Sequence, residues 1–147
     1  MSRIALTGRL LVAAQFALIG WLIWPLTPQA WSPPALALLA GAIALGLWTL
    51  VHNRPGNFNI RPEPKNAGRL VTGGPYRYVR NPMYSAVLLF AAAEVLAYAD
   101  AWKIACWLAL ALVLLAKVML EERFLRAVFP DYAAYAKRVR RFIPWVF

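Results

Sequence analysis

The chain has 147 residues, 62% of them hydrophobic, with 16 lysines and arginines against 6 acidic residues, a formal charge of +10. Soluble domains are about half apolar, so this composition argues against a water-soluble globule. The single cysteine excludes an intramolecular disulfide.

The apolar residues gather into four stretches, 10–26, 35–51, 83–99 and 103–120. Each is about 17 residues long, the lower end of what a helix needs to cross hydrocarbon. Tryptophan and tyrosine stand near their ends (Trp21, Trp24, Trp31, Trp48, Tyr98, Trp102), as in the aromatic belts at membrane interfaces. The prediction is an all-α membrane protein: a single domain over residues 1–147, with about four transmembrane helices in two hairpins, an ordered cytoplasmic loop and a short C-terminal amphipathic helix.

The first stretch follows Arg3 and Arg9 but exceeds a signal-peptide h-region and lacks a small-residue cleavage site, so it reads as a permanent helix. Pro25, Pro28, Pro33 and Pro34 close the first hairpin. The second helix ends near Val51-His52-Asn53, with Arg54-Pro55-Gly56 as the stop. The long loop to Arg80 alternates Phe58, Ile60, Leu70, Val71, Tyr76 and Tyr78 with prolines and glycines, which predicts order. Asn81-Pro82 supplies an N-cap and a first-position proline for the third helix. Helices three and four turn around Asp100, and the fourth is predicted to continue unbroken through Lys117, Glu121 and Glu122 into Phe124-Leu125. Phe129-Pro130-Asp131 interrupts it, and 131–139 reads as a short helix with a basic end suited to a membrane surface.

Basic residues crowd the segments before helix one, between helices two and three, and after helix four, while the two other connections hold few charges. The positive-inside rule therefore predicts both termini and the long loop on the cytoplasmic side; the membrane expected is a bacterial inner membrane. Cations that hug helix ends suit anionic headgroups, not nucleic acid.

The groups suited to chemistry lie at one membrane boundary. Two helices joined by a tight turn put Tyr84 and Leu120 at the same depth, so Arg80-Asn81 and Glu121-Glu122 are predicted to meet. Ionisable residues that pair across helices at such a depth mark functional sites. Lys117 shares a helical face with Glu121, one turn earlier. Glu94 is assigned a structural partner, Lys103, and His52 a helix-end role. The sequence has no Cys/His cluster with metal spacing, no Ser-His-Asp set and no phosphate-cradling glycine loop.

Gly-Pro-Tyr-Arg-x-x-Arg-Asn-Pro-x-Tyr (Gly74–Tyr84), Glu-Glu-x-x-Leu-x-x-x-Phe (Glu121–Phe129), Tyr-x-x-Tyr-x-x-x-Val (Tyr132–Val139) and the late Pro144 together resemble the isoprenylcysteine carboxyl methyltransferase family, grouped with the phospholipid N-methyltransferases. The resemblance spans roughly Arg69 to Pro144, about half of the chain. It implies a membrane enzyme that uses S-adenosylmethionine without a Rossmann domain and methylates a lipophilic or membrane-embedded carboxylate, amine or thiol. It places Arg69, Leu70, Val71 and Tyr76 near the adenosine, Asn81, Pro82, Met83 and Tyr84 along the cofactor, and Glu121 at its polar end. Lys117 stands where related enzymes use an arginine toward the substrate, and Asn81 where a histidine is common. A carboxylate acceptor would be held by Lys117 or Arg80, and an amine or thiol would need a base, Glu122. Two other readings are an NADPH-dependent membrane enzyme like the sterol reductases, which share an Arg-x-Pro-x-Tyr element, and a non-catalytic membrane scaffold.

Overall fold

The structure, a computed structural model, describes residues 3–24, 31–53 and 70–147. Pro25, Pro28, the Arg54-Pro55-Gly56 stop, Phe58, Ile60 and Arg69 lie outside the described residues. Within them the fold is all-helical: α1 (Arg3–Ile23), α2 (Pro33–Asn53), α3 (Pro82–Tyr98), α4 (Ala101–Val128) and α5 (Tyr132–Arg138), with a 3-10 turn at Gly74–Arg77 before α3. Three helices, α1, α2 and α4, are long and apolar enough to cross a membrane. The fourth, α3, is apolar but shorter at 17 residues.

Local chemistry sets the boundaries. Asn81 occupies the N-cap of α3 with Pro82 at the first position, but its side chain makes no cap bond. Its amide Nδ2 instead donates to the Arg141 carbonyl at 3.4 Å. Ala99, in the left-handed region at φ 49°, ends α3, and its N–H bonds the Val95 carbonyl at 2.8 Å. Asp100 then caps α4, its Oδ1 accepting from the Trp102 N–H at 3.1 Å. The helix continues for 28 residues, past both glutamates, and ends at Phe129 in extended conformation.

α2 packs most extensively along α3, and α1 along α4. Small side chains permit the close approach: Ala35, Ala42 and Thr49 recur every seventh residue on α2, and Ala86, Ala93 and Ala97 are buried on α3. Close packing of small residues is how helices associate in lipid, where apolar burial alone gives little drive. A second core joins Leu22, Ala91, Cys106, Leu110 and Leu114 from α1, α3 and α4. Large apolar side chains such as Leu10, Phe16, Ile43, Leu47 and Leu112 point outward. That arrangement is costly in water and ordinary against hydrocarbon chains.

At the far end of the bundle, Lys103 is almost completely buried. Its ammonium donates to the Leu22 carbonyl, lies 3.8 Å from the Glu94 carboxylate and stacks 4.0 Å from the Tyr98 ring centroid. The lysine thereby joins the last turn of α1 to the α3–α4 hairpin, and Glu94 has the structural partner the sequence suggested. At the near end the chain after α5 folds back beside the approach to α3. Val79 and Arg140 form a parallel bridge, with Arg80 N–H bonding Arg140 O at 2.7 Å and Asn81 N–H bonding Arg141 O at 3.1 Å.

Candidate active site at the paired glutamates

The two adjacent glutamates of α4 face different neighbours. Glu121 Oε1 accepts the Tyr84 hydroxyl at 2.6 Å, a short bond across the α3–α4 interface. One turn earlier, the Lys117 ammonium lies 5.0 Å from the Tyr84 ring centroid and donates to Gln15 Oε1 of α1 at 2.9 Å. Lys117 is 2% exposed, so its cation is held by a π-face and an amide instead of water. Tyr76, in the turn before α3, lies within electrostatic reach of Glu121. Burial first, and that carboxylate second, push its phenol up to about 12. Around Glu121 the chain thus sets one carboxylate, one ammonium and two protonated phenols.

Glu122 faces a cluster of guanidiniums. Its Oε1 accepts from Arg80 Nη2 at 2.7 Å and Nε at 3.1 Å, and from Arg141 Nε at 3.2 Å. Its Oε2 accepts from Arg141 Nη2 at 3.2 Å, with Arg126 at 3.9 Å. Arg80 turns its remaining edge to the end of α5, where Nη1 donates to Ala136 O at 2.8 Å and to Val139 O. Tyr132 packs in the same region, its phenol pushed up to about 12 by burial and then by the Glu122 charge. Tyr135 donates its hydroxyl to the Tyr76 carbonyl at 2.6 Å, connecting α5 to the turn before α3.

A half-open cavity of about 690 Å³ is lined by α2, α3, α4 and the C-terminal segment, and Val79, Ser85 and Phe142, chain neighbours of Arg80, Tyr84 and Arg141, belong to its wall. Leu45 and Trp48 line it from α2, Leu88 and Leu89 from α3, Trp107 and Leu115 from α4. Phe142, Ile143, Pro144 and Phe147 close it on the tail side. Two of its polar side chains are committed: Ser85 donates to Phe142 O at 2.7 Å, and Trp107 Nε1 to Leu88 O at 3.0 Å. The chamber suits an uncharged hydrocarbon guest.

Residues 35–132, more than half of the chain, match the phospholipid methyltransferase family. The chain belongs to that family. A segment of 77 residues is also 39% identical to the cobalt-zinc-cadmium resistance protein CzcN of Cupriavidus metallidurans. That match covers 51% of this chain and 35% of the relative, so the chain spans only about a third of the curated relative. With its apolar helices, this member of a membrane methyltransferase family is an integral membrane protein.

Most of the residues singled out from the sequence converge in this phospholipid methyltransferase homologue. Tyr84 and Glu121 touch, Arg80 and Glu122 pair, and Lys117 and Tyr76 flank Glu121. Pro82 is buried and Met83 half-buried in the first turn of α3. Leu70 packs on the Tyr132–Tyr135–Val139 cluster, and Val71 follows it, half-buried. Arg69 is outside the described residues. Two participants had not been singled out. Gln15 partners Lys117 from across the bundle, and its signal was to be the one amide inside an apolar span. Arg141, read with its neighbours as a membrane-surface cation, turns inward to Glu122.

Proposed function

We propose that this protein transfers the methyl group of S-adenosylmethionine to a lipophilic acceptor that reaches the site from the bilayer, at the cytoplasmic leaflet of a bacterial inner membrane. The observation that carries the reading is the Tyr84–Glu121 pair, with Lys117 and Tyr76 beside it; an apolar cavity lined by Ser85, the residue after Tyr84, gives room for a hydrocarbon guest. The cytoplasmic assignment follows from the basic residues at that end of the helices.

The residues fit the cofactor by their chemistry. S-adenosylmethionine, when bound, supplies an electrophilic methyl group on a sulfonium. Glu121 offers a carboxylate for an ammonium or for ribose hydroxyls, and the Tyr84 hydroxyl fixes its orientation. A carboxylate on the sulfonium itself would stabilise the ground state more than the transition state, because that charge disappears during transfer. Glu121 would therefore meet the cofactor's polar end, Asn81, Pro82, Met83 and Tyr84 would line it, and Leu70, Val71 and Tyr76, with Arg69 before them in sequence, would serve the adenosine side. Lys117 would orient an anionic acceptor. With Arg80 and Glu122 each occupied by the other and by the tail, neither an acceptor clamp nor a base is our preferred role for them. Positioning the partners accounts for much of the rate of such a displacement.

The test is binding of labelled S-adenosylmethionine and NADPH to the purified protein in nanodiscs. The reading expects saturable binding of the first, competed by S-adenosylhomocysteine. Binding of NADPH alone would favour a reductase, and binding of neither a scaffold; both overturn the proposal.

A further inference from the structure

The C-terminal segment after α5 forms neither helix nor sheet, yet it supplies a whole side of the apolar cavity. Its seat consists of a few bonds. Backbone carbonyls of Arg140 and Arg141 accept the N–H groups of Arg80 and Asn81, and the Phe142 carbonyl accepts the Ser85 hydroxyl. Beyond Phe142 the chain curls, with Trp145 at φ 62° and the N–H groups of Phe142 and Ile143 both bonded to Phe147 O at 2.8 Å. The Arg141 guanidinium lies 5.6 Å from the Phe147 ring centroid. Two of the cations that hold this segment, Arg80 from its approach to α3 and Arg141 from the segment itself, converge on one carboxylate, Glu122.

We infer that Glu122 is a positioning residue for the acceptor: through Arg80 and Arg141 it seats residues 139–147, whose side chains form the wall that sets which hydrocarbon chain the cavity accepts. This rests on the methyltransferase reading only in naming the guest an acceptor. The neighbouring glutamates then divide the work. Glu121 serves the cofactor end, and Glu122 serves the apolar chamber by way of the tail. Segments held by few hydrogen bonds lie at the low-stability end of a protein's local opening range, so losing a buried charge pair frees this one before the helices. Arg126, 55% exposed and 3.9 Å away, adds little to the seat.

The experiment uses the full chain in nanodiscs with three readouts: hydrogen–deuterium exchange, S-adenosylmethionine affinity, and photo-cross-linking by n-alkyl alcohols of graded length carrying a mid-chain diazirine. Wild type is expected to cross-link within the cavity, at Leu88, Leu89 and Ile143, with a preferred chain length. Glu122→Gln and Arg141→Gln should raise exchange in residues 139–147 about tenfold or more and broaden the length preference, with cofactor affinity changed by less than about twofold. Arg141→Lys should retain part of the seat, and Arg126→Gln all of it. Because Glu122→Gln takes the counter-charge from the buried Arg80 guanidinium and risks misfolding, Arg141→Gln, at a 30% exposed side chain, keeps the test decisive. Ile143→Ala trims the wall without touching the clamp and should shift the preference to bulkier or longer probes. Unchanged exchange in both glutamine variants overturns the inference. So does an unchanged probe pattern in those variants, whatever the cofactor affinity. If wild type binds no S-adenosylmethionine, the methyltransferase reading fails by itself, and exchange and cross-linking still decide the role of the seat.

Discussion

Replacing Tyr84 with phenylalanine removes one oxygen and leaves the rest of the α3–α4 contact intact. The ring still packs against the Leu22–Ala91–Leu114 core and still lies under the Lys117 ammonium at 5.0 Å. What is lost is the 2.6 Å bond that holds Glu121 Oε1. A hydrogen bond to a charged group contributes about 1.5–3 kcal/mol. If Glu121 must be held in place to meet the cofactor, that loss appears as a roughly 10- to 150-fold weaker affinity for S-adenosylmethionine. Isothermal titration in nanodiscs reads it directly, with size exclusion and thermal melting to show that the variant is folded. Glu121→Gln keeps an acceptor for Tyr84 and should still lose at least as much, since it removes the charge that meets the cofactor. An affinity within about twofold of wild type for both variants would refute the placement of the cofactor's polar end at Glu121.

The buried corner at the opposite end makes a stability prediction. Lys103→Met strands the Glu94 carboxylate among apolar side chains and should cost about 3–5 kcal/mol, while Lys103→Met with Glu94→Leu recovers most of it in chemical denaturation. Gly74→Ala should cost more than about 1 kcal/mol, because its φ of +56° strains any side chain. An added Cβ would also sit 2.2 Å from His52 Cδ2, so His52→Ala in the same background should recover the clash and not the strain. Tyr76 and Tyr132 both have phenol pKa values raised to about 12 from an ordinary 10, so the folded state keeps protons the unfolded chain releases. The stability they contribute is complete below pH 10 and lost as pH rises toward 12. Thermal melts across that window should fall less steeply in Tyr132→Phe than in wild type.

The helices were legible because their signals are local. Apolar length, the proline at the start of α3, and Asp100 as a cap each act within a few residues. The meeting of Arg80 with Glu122 was legible for a related reason: a tight hairpin fixes relative depth; depth alone did not foretell that Asn81 would turn to the Arg141 carbonyl and Tyr84 to Glu121. Other features have no local code. α2 and α3 are apolar on every face, so the pattern does not say that small residues at every seventh position would choose each other over α1. Gln15 and Lys117 are 102 residues apart in sequence, and only the packing of α1 on α4 joins them. The register of the fold-back is set by backbone groups of residues 79–81 and 140–141, which any sequence presents, so it has no local code even though side chains clamp it. Arg141 looked like one more surface cation because nothing in a basic run distinguishes the member that turns inward.

The central claim is methyl transfer to a lipophilic acceptor. Its most direct test incubates the protein in nanodiscs with methyl-labelled S-adenosylmethionine and bacterial membrane extract, then partitions the label between water and organic solvent. The account predicts time-dependent label in the organic phase with wild type and none above background with Glu121→Gln. Label that stays entirely in water, or reaches the organic phase equally with Glu121→Gln, would contradict it.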